Sequence, residues 1–223
     1  MNAYITKLIL EGEHQKQDFK YCISDSKKIA RSLVAFANTD GGRLLIGVKD
    51  NGKIAGIRSD EEFYMIDSAA KIFSKPQINF YTHQHQVDGK TILEIVVESS
   101  PYKPHFAQDE NGNWLAYYRQ QDENKLANRI MIQVWHKQRS KKGILINYSS
   151  AEKFLLDYLK ENSGISFSAF TRKAHITSGQ AEQILSDFIV LGILKLHHQD
   201  KKISYTLDDQ FDRESWENKN RPE

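Results

Sequence analysis

The chain has 223 residues, 39% of them hydrophobic and 27% charged, with a formal net charge of +2. This is globular composition, enough for one large domain or two modest ones. It excludes collagen-like and low-complexity chains, and no apolar run approaches the roughly 18 residues of a membrane helix. The N-terminal residues lack the pattern of a signal peptide. The single cysteine, Cys22, cannot form an internal disulfide. Both features point to the reducing cytoplasm. The net charge is too balanced to identify a nucleic-acid partner by its sum, because the distribution of charge matters more.

Taken in chain order, the first periodic segment is a helix capped by Ser26, with Ile29, Leu33, Phe36 and Ala37 on one face. It ends at the breaker cluster Asn38-Thr39-Asp40-Gly41-Gly42. Residues 43–49 read as a buried strand, and the turn sequence Asp50-Asn51-Gly52-Lys53 predicts a return strand over 53–57. A helix is expected over 60–73. Residues 79–86 and 91–98 flank Val87-Asp88-Gly89-Lys90 as a hairpin. Residues 114–119 read as a strand and 124–137 as a helix.

The basic stretch His136 to Gly143 reads as the end of a first domain, which places it at 1–138. Ser149-Ser150 caps a new amphipathic helix over 151–161. A short helix over 166–173 follows, then a third running from Thr177-Ser178-Gly179 to about Leu191. A hairpin closes around Gln199-Asp200-Lys201-Lys202. Three helices and a hairpin over 149–207 is the order of a winged helix, and 208–223 reads as a polar tail.

The fold expected is therefore α+β, a mixed-sheet domain followed by a small winged-helix domain. The residues suited to nucleic acid on the second domain are Arg172 and Lys173, then Thr177, Ser178, Gln180, Gln183 and Ser186 on the third helix, with Lys195, Lys201 and Lys202 on the wing. Short polar side chains of this kind address phosphates and base edges. The third helix itself carries no Arg or Lys and holds Glu182 and Asp187. Lys137, Arg139, Lys141 and Lys142 form a second basic group, a phosphate-gripping arm or a solvated linker. His83 and His85 share one strand face, as two histidines without a third metal ligand.

Three blocks carry the most information. They are Glu13 to Lys20 with its Asp18-Phe19-Lys20 triplet, the segment Ala35-Phe36-Ala37-Asn38-Thr39-Asp40-Gly41-Gly42, and Gly47-Val48-Lys49-Asp50. Over roughly residues 8–136 these blocks resemble the Schlafen-type AlbA-like domain family, whose bacterial members pairing the domain with a winged helix are described as regulators. In nuclease members two acids of the first block and the aspartate of the turn form a metal-dependent RNA-cleaving site. The matching positions are Glu13, Asp18 and Asp50, with Asp18 one methylene shorter than the more usual glutamate. The resemblance thus implies Mg²⁺ or Mn²⁺ at these acids if the protein is a nuclease.

Chemically, clustered carboxylates hold such ions and orient a water. The alternative is that Asp50 serves the turn, Glu13 is solvated and Asp18 pairs with Lys20. The glycine corner leaves bare N–H groups for an anion or simply makes a tight turn. Lys20, Asn38, Thr39, Gly41, Gly42 and Arg119 complete the candidate ligand or nucleic-acid site. Residues 42–49 echo a P-loop but carry Val48 where the phosphate lysine belongs, so ATP has no P-loop support.

The expectation is a cytoplasmic DNA-binding transcriptional regulator, with RNA also open as a partner, no membrane partner, and homodimerisation left open. The alternatives are a nuclease acting on RNA or single-stranded DNA, and a non-catalytic protein-interaction module. The proposition beneath the first-domain site is that the Asp18-Phe19-Lys20 segment folds back beside the Asn38–Gly42 corner.

Overall fold

The computed structural model describes residues 2–57, 59, 61–141, 143–144, 148–199 and 202–212. The chain divides into two compact units between Ala127 and Asn128.

In the first unit, helix α1 (Ala3–Glu11) precedes strand β1 (Gln17–Lys20), helix α2 (Ser26–Asn38) and strand β2 (Gly42–Ile46). Helix α3 (Glu61–Lys71) and the short strand β3 (Ser74–Lys75) follow, then the hairpin of β4 (Tyr81–Val87) and β5 (Lys90–Val97). The unit closes with β6 (Phe106–Gln108), β7 (Trp114–Leu115), β8 (Tyr117–Gln120) and β9 (Glu123–Leu126). The main sheet has the order β1-β2-β5-β4. β1 runs parallel to β2, and the other pairs are antiparallel. This is the mixed α+β architecture expected.

Alternation along the strands gives the sheet two greasy faces. Phe19, Leu45, Ile92 and Val87 point to one side, where α1 covers them with Ile5 and Leu8. Leu44, Ile46, Leu93 and Ile95 point to the other, against α2 and α3. Helix α2 is capped by Asp25, whose side chain accepts from Lys27 N–H at 2.8 Å. Its run from Leu33 to Asn38 is buried throughout, because it lies among the sheet, α3, β6 and β8.

Several elements differ from the sequence reading. The return strand over 53–57 reduces to a single bridge between Val48 and Ile54, because β2 already has ladder partners on both sides. The strand over 114–119 breaks at Ala116, so that β7 and β8 belong to different sheets. The helix expected from 124 is instead strand β9 followed by helix α4 (Arg129–Arg139), capped by Asn128. Strand β8 pairs with β9 around Gln121, whose φ is 56°.

The second unit contains α4, α5 (Ser150–Glu161), α6 (Phe167–Ala174), α7 (Ser178–Val190) and the antiparallel hairpin of β10 (Leu194–Gln199) and β11 (Lys202–Leu207). Ile130 and Val134 of α4 enter the same core as Leu155, Leu156, Phe170, Ala181, Leu185, Phe188 and Tyr205. Helix α4 therefore packs with the second unit, and the first ends earlier than the expected boundary at 138. Most of the expected polar tail, together with Lys142, Asp200 and Lys201, lies outside the described residues. Among the described residues no helix is long and apolar enough to cross a membrane.

Candidate functional site

The site of the first unit grows from the free edge of β1. With β2 on one side, strand β1 turns backbone groups outward on the other, and charged side chains meet them. The Glu13 carboxylate accepts from the Phe19 N–H at 2.8 Å. The Arg119 guanidinium, delivered by β8, donates to the carbonyls of Gln17 at 3.0 Å and His14 at 3.3 Å. It also stands 3.6 Å from the Asp18 carboxylate. Asp18 is 4% exposed and Arg119 2%, so this is a buried ion pair held by several further bonds.

Lys20 completes the charge balance. Its Nζ lies 3.1 Å from Asp18 and donates to the Phe19 carbonyl at 2.7 Å. The Lys20 side chain keeps 38% of its exposure, so it is a cation at the rim of the site. Ser32 donates to Asp18 at 3.4 Å, and Asn124 bridges Ser32 at 3.0 Å to Arg119 at 3.1 Å. Burial, a hydrogen bond from its side chain to Asp18 and the Asp18 charge raise Glu13 to about 7; the Phe19 N–H and Lys20 oppose the rise.

The Asn38–Gly42 corner adjoins this site through Arg119. The Arg119 N–H donates to the Thr39 hydroxyl at 2.8 Å, and that hydroxyl donates to Ala35 O at 2.7 Å. Gln15 donates to Asp40 at 3.0 Å and to the Arg119 carbonyl at 3.1 Å. The acid-Phe-Lys segment and the glycine corner therefore do share one region.

Within the corner, the side chains serve the backbone. Asn38 is 2% exposed. Its amide donates to the carbonyls of His105 and Tyr117 and accepts from the His105 N–H at 2.7 Å. The glycines answer close contacts. A Cβ at Gly41 (φ 72°) would lie 2.8 Å from Val97 O, and one at Gly42 would lie 2.4 Å from the Phe36 ring. Phe36 also carries the Arg119 guanidinium over its ring, 5.3 Å from the centroid. Lys103 donates to Thr39 O at 2.8 Å, and burial pulls its ammonium below the ordinary lysine value while Asp40 opposes this.

Asp50 behaves differently from the other two acids. It is exposed, in the turn after β2. Among the described residues no group of three or more His, Cys, Asp and Glu side chains is placed to hold a metal ion. Glu13 and Asp18 are neighbours, but the three acids, which the resemblance would assign to Mg²⁺ or Mn²⁺ only in a nuclease, are not brought together as one such group.

Sequence reasoning misses Ser32, Asn124, Gln15 and Lys103. Asn124 escapes because its segment reads as helix, and the others carry no local pattern that ties them to a site. His85, in the sequence only a strand-face residue, contacts buried Glu94 at 2.8 Å, and Glu94 also accepts from Tyr4 and Arg43.

In the second unit, Arg172 and Lys173 are exposed at the end of α6. Thr177 and Gln180 form a capping box at the start of α7, and Ser178, Gln180 and Gln183 are exposed. Ser186 is fully buried. Lys137 of α4 donates to it at 2.6 Å and to Asp187 at 2.8 Å, so Lys137 is a packing cation rather than part of a free arm. Arg129 and Gln133 reach Glu182. Lys195 pairs with Asp209 and Asp208. Lys202 is exposed.

No curated protein matches the sequence. One solved structure similar to the chain is the DIP2311 protein from Corynebacterium diphtheriae, at 17% identity and a TM-score of 0.45. That likeness covers 77% of this chain and 32% of the other, so the chain spans about a third of that protein's length. Another is the N-terminal domain of a putative ATP-dependent DNA helicase RecG-related protein from Nitrosomonas europaea, at 21% identity and a TM-score of 0.38, covering 65% of this chain and 96% of that domain. The family model described as Schlafen, AlbA_2 matches residues 13–128, more than half of the chain. That span runs from Glu13 through the glycine corner to the strand carrying Arg119, and the chain belongs to the Schlafen, AlbA_2 family.

Proposed function

We propose that the protein is a DNA-binding regulator of transcription whose second unit acts as a winged helix. Family membership supports a nucleic-acid-related function. The observation that carries the finer reading is the unequal fate of the two parts of α7. From Glu182 onward it is tied to α4 through Glu182, Ser186 and Asp187. Its first turn exposes Ser178 and Gln180, shortly after the exposed cations Arg172 and Lys173. A recognition helix addresses base edges with its N-terminal residues while flanking cations hold phosphates. Lys202, on the hairpin, is suited to act as a wing cation.

In the first unit, Lys20 at the rim of the Asp18–Arg119 site is the side chain suited to a phosphate of DNA or RNA. The carboxylates do not assemble a metal donor set, so the reading favours binding over metal-dependent cleavage.

Titration of labelled duplex DNA against salt tests this. Binding should weaken steeply as salt rises, because neutralised phosphates release counterions. Replacing Arg172, Lys173 and Lys202 together with alanine should lower affinity and reduce the slope by about one for each phosphate no longer neutralised. Unchanged affinity and slope in the triple variant would remove the basis of the proposal.

A further inference from the structure

The two edges of the main sheet are treated in opposite ways. At the β1 edge, Glu13 and Arg119 occupy outward-facing backbone groups, as described above. Among the described residues of the first unit, the other edge, β4, has no such covering. An unblocked strand edge is a template for pairing with another strand, and proteins ordinarily protect it with charge, proline or a bulge. Tyr81-Thr82-His83-Gln84-His85-Gln86-Val87 has no Lys, Arg, Asp, Glu or Pro, and its register against β5 is unbroken.

The hairpin geometry identifies which groups face outward. Asp88 and Gly89 both have positive φ, 50° and 75°, as in a two-residue type I′ turn. Val87 and Lys90 then form the closing hydrogen-bonded pair, and bonded pairs recur at alternate residues. The inward-bonded residues are Tyr81, His83, His85 and Val87. The N–H and C=O groups of Thr82, Gln84 and Gln86 point away from β5.

These outward residues are centred on Gln84, which makes the edge self-complementary. We propose that β4 pairs antiparallel with β4 of a second copy of this chain, about a two-fold axis at Gln84. That axis sets Gln84 opposite Gln84 and Thr82 opposite Gln86, all as hydrogen-bonding pairs. A two-fold interface requires one patch to match itself; this one sets His83 opposite His85 and opposes no Lys, Arg, Asp or Glu side chains of the strand. Beside the edge, on the same face as Thr82, lies a groove lined by Phe63, Asp67, Ile78 and Phe80, and Phe63 is 41% exposed. Strand pairing would extend this surface across the axis and supply apolar contact beyond the backbone bonds. Such pairing does not depend on the DNA-binding reading.

Light scattering during size-exclusion chromatography of the full chain tests it. The wild type should elute at twice the 25.8 kDa chain mass at high concentration. Gln84→Pro removes an N–H that the monomer does not use, and proline is tolerated at such edge positions. It should give the single-chain mass with unchanged circular dichroism. Gln84→Lys sets like charges face to face and should also give the single-chain mass, which keeps the test decisive if the proline variant does not fold. A monomeric wild type, or a dimer that persists in both Gln84→Pro and Gln84→Lys, would overturn the proposal.

Discussion

The guanidinium of Arg119 stands 3.6 Å from the carboxylate of Asp18, and both residues are almost fully buried. The same arginine ties β1 through Gln17 O and the glycine corner through Thr39. It thereby joins segments far apart in the chain into one polar site. Removing Arg119 leaves the buried Asp18 with only the partly exposed Lys20 as cation and strips the His14 and Gln17 carbonyls of their donor, and breaking a buried pair in this way costs more than the intact pair contributes. Arg119→Ala should therefore destabilise the first unit by about 3–5 kcal/mol, and urea unfolding measures this. Arg119→Lys should lie between the two, since an ammonium cannot reproduce the planar fork.

Glu13 should make stability depend on pH in a defined direction. Its folded-state value of about 7 lies above the 4.5 of a free glutamate. The folded chain thus holds a proton that the unfolded chain has released, and stability falls as pH rises between those values. Glu13→Gln, which retains an acceptor for the Phe19 N–H, should remove that part of the slope. The check is the stability difference between variant and wild type at about pH 5 and about pH 8. A difference that does not change between them would contradict the environment described for Glu13.

Gly41 tests whether the corner is a packing device. Alanine there would adopt a strained positive φ and place its Cβ 2.8 Å from Val97 O. Backbone atoms cannot yield as a side-chain tip can, so Gly41→Ala should cost about 1–3 kcal/mol, as overpacking typically does. Thermal unfolding measures it.

Lys137 separates packing cations from nucleic-acid cations. Hydrogen bonds to charged groups contribute about 1.5–3 kcal/mol each, and Lys137 bonds both Ser186 and Asp187. Lys137→Met should lower stability within that range while the salt dependence of DNA binding stays unchanged. A flattened salt dependence would instead assign Lys137 to a DNA phosphate.

Local pattern determined much of this protein. The periodicity of Ile29, Leu33 and Phe36 announces α2, the Asp88-Gly89 turn announces the β4–β5 hairpin, and Ser149 and Thr177 announce helix starts. The acid-Phe-Lys and glycine-corner blocks likewise announce the family. These signals are legible because they depend on neighbours in the chain: caps, turns and one-sided hydrophobic spacing. Tertiary structure decided the rest. Only the fold brings Asn124 and Ser32 to Arg119, buries Asp18 while leaving Asp50 exposed, and turns Lys137 from a linker charge into a clamp on α7. Electrostatic partnership acts through space, over a few ångströms between residues more than a hundred positions apart, as Arg119 and His14 are, and nothing in a linear pattern records that distance.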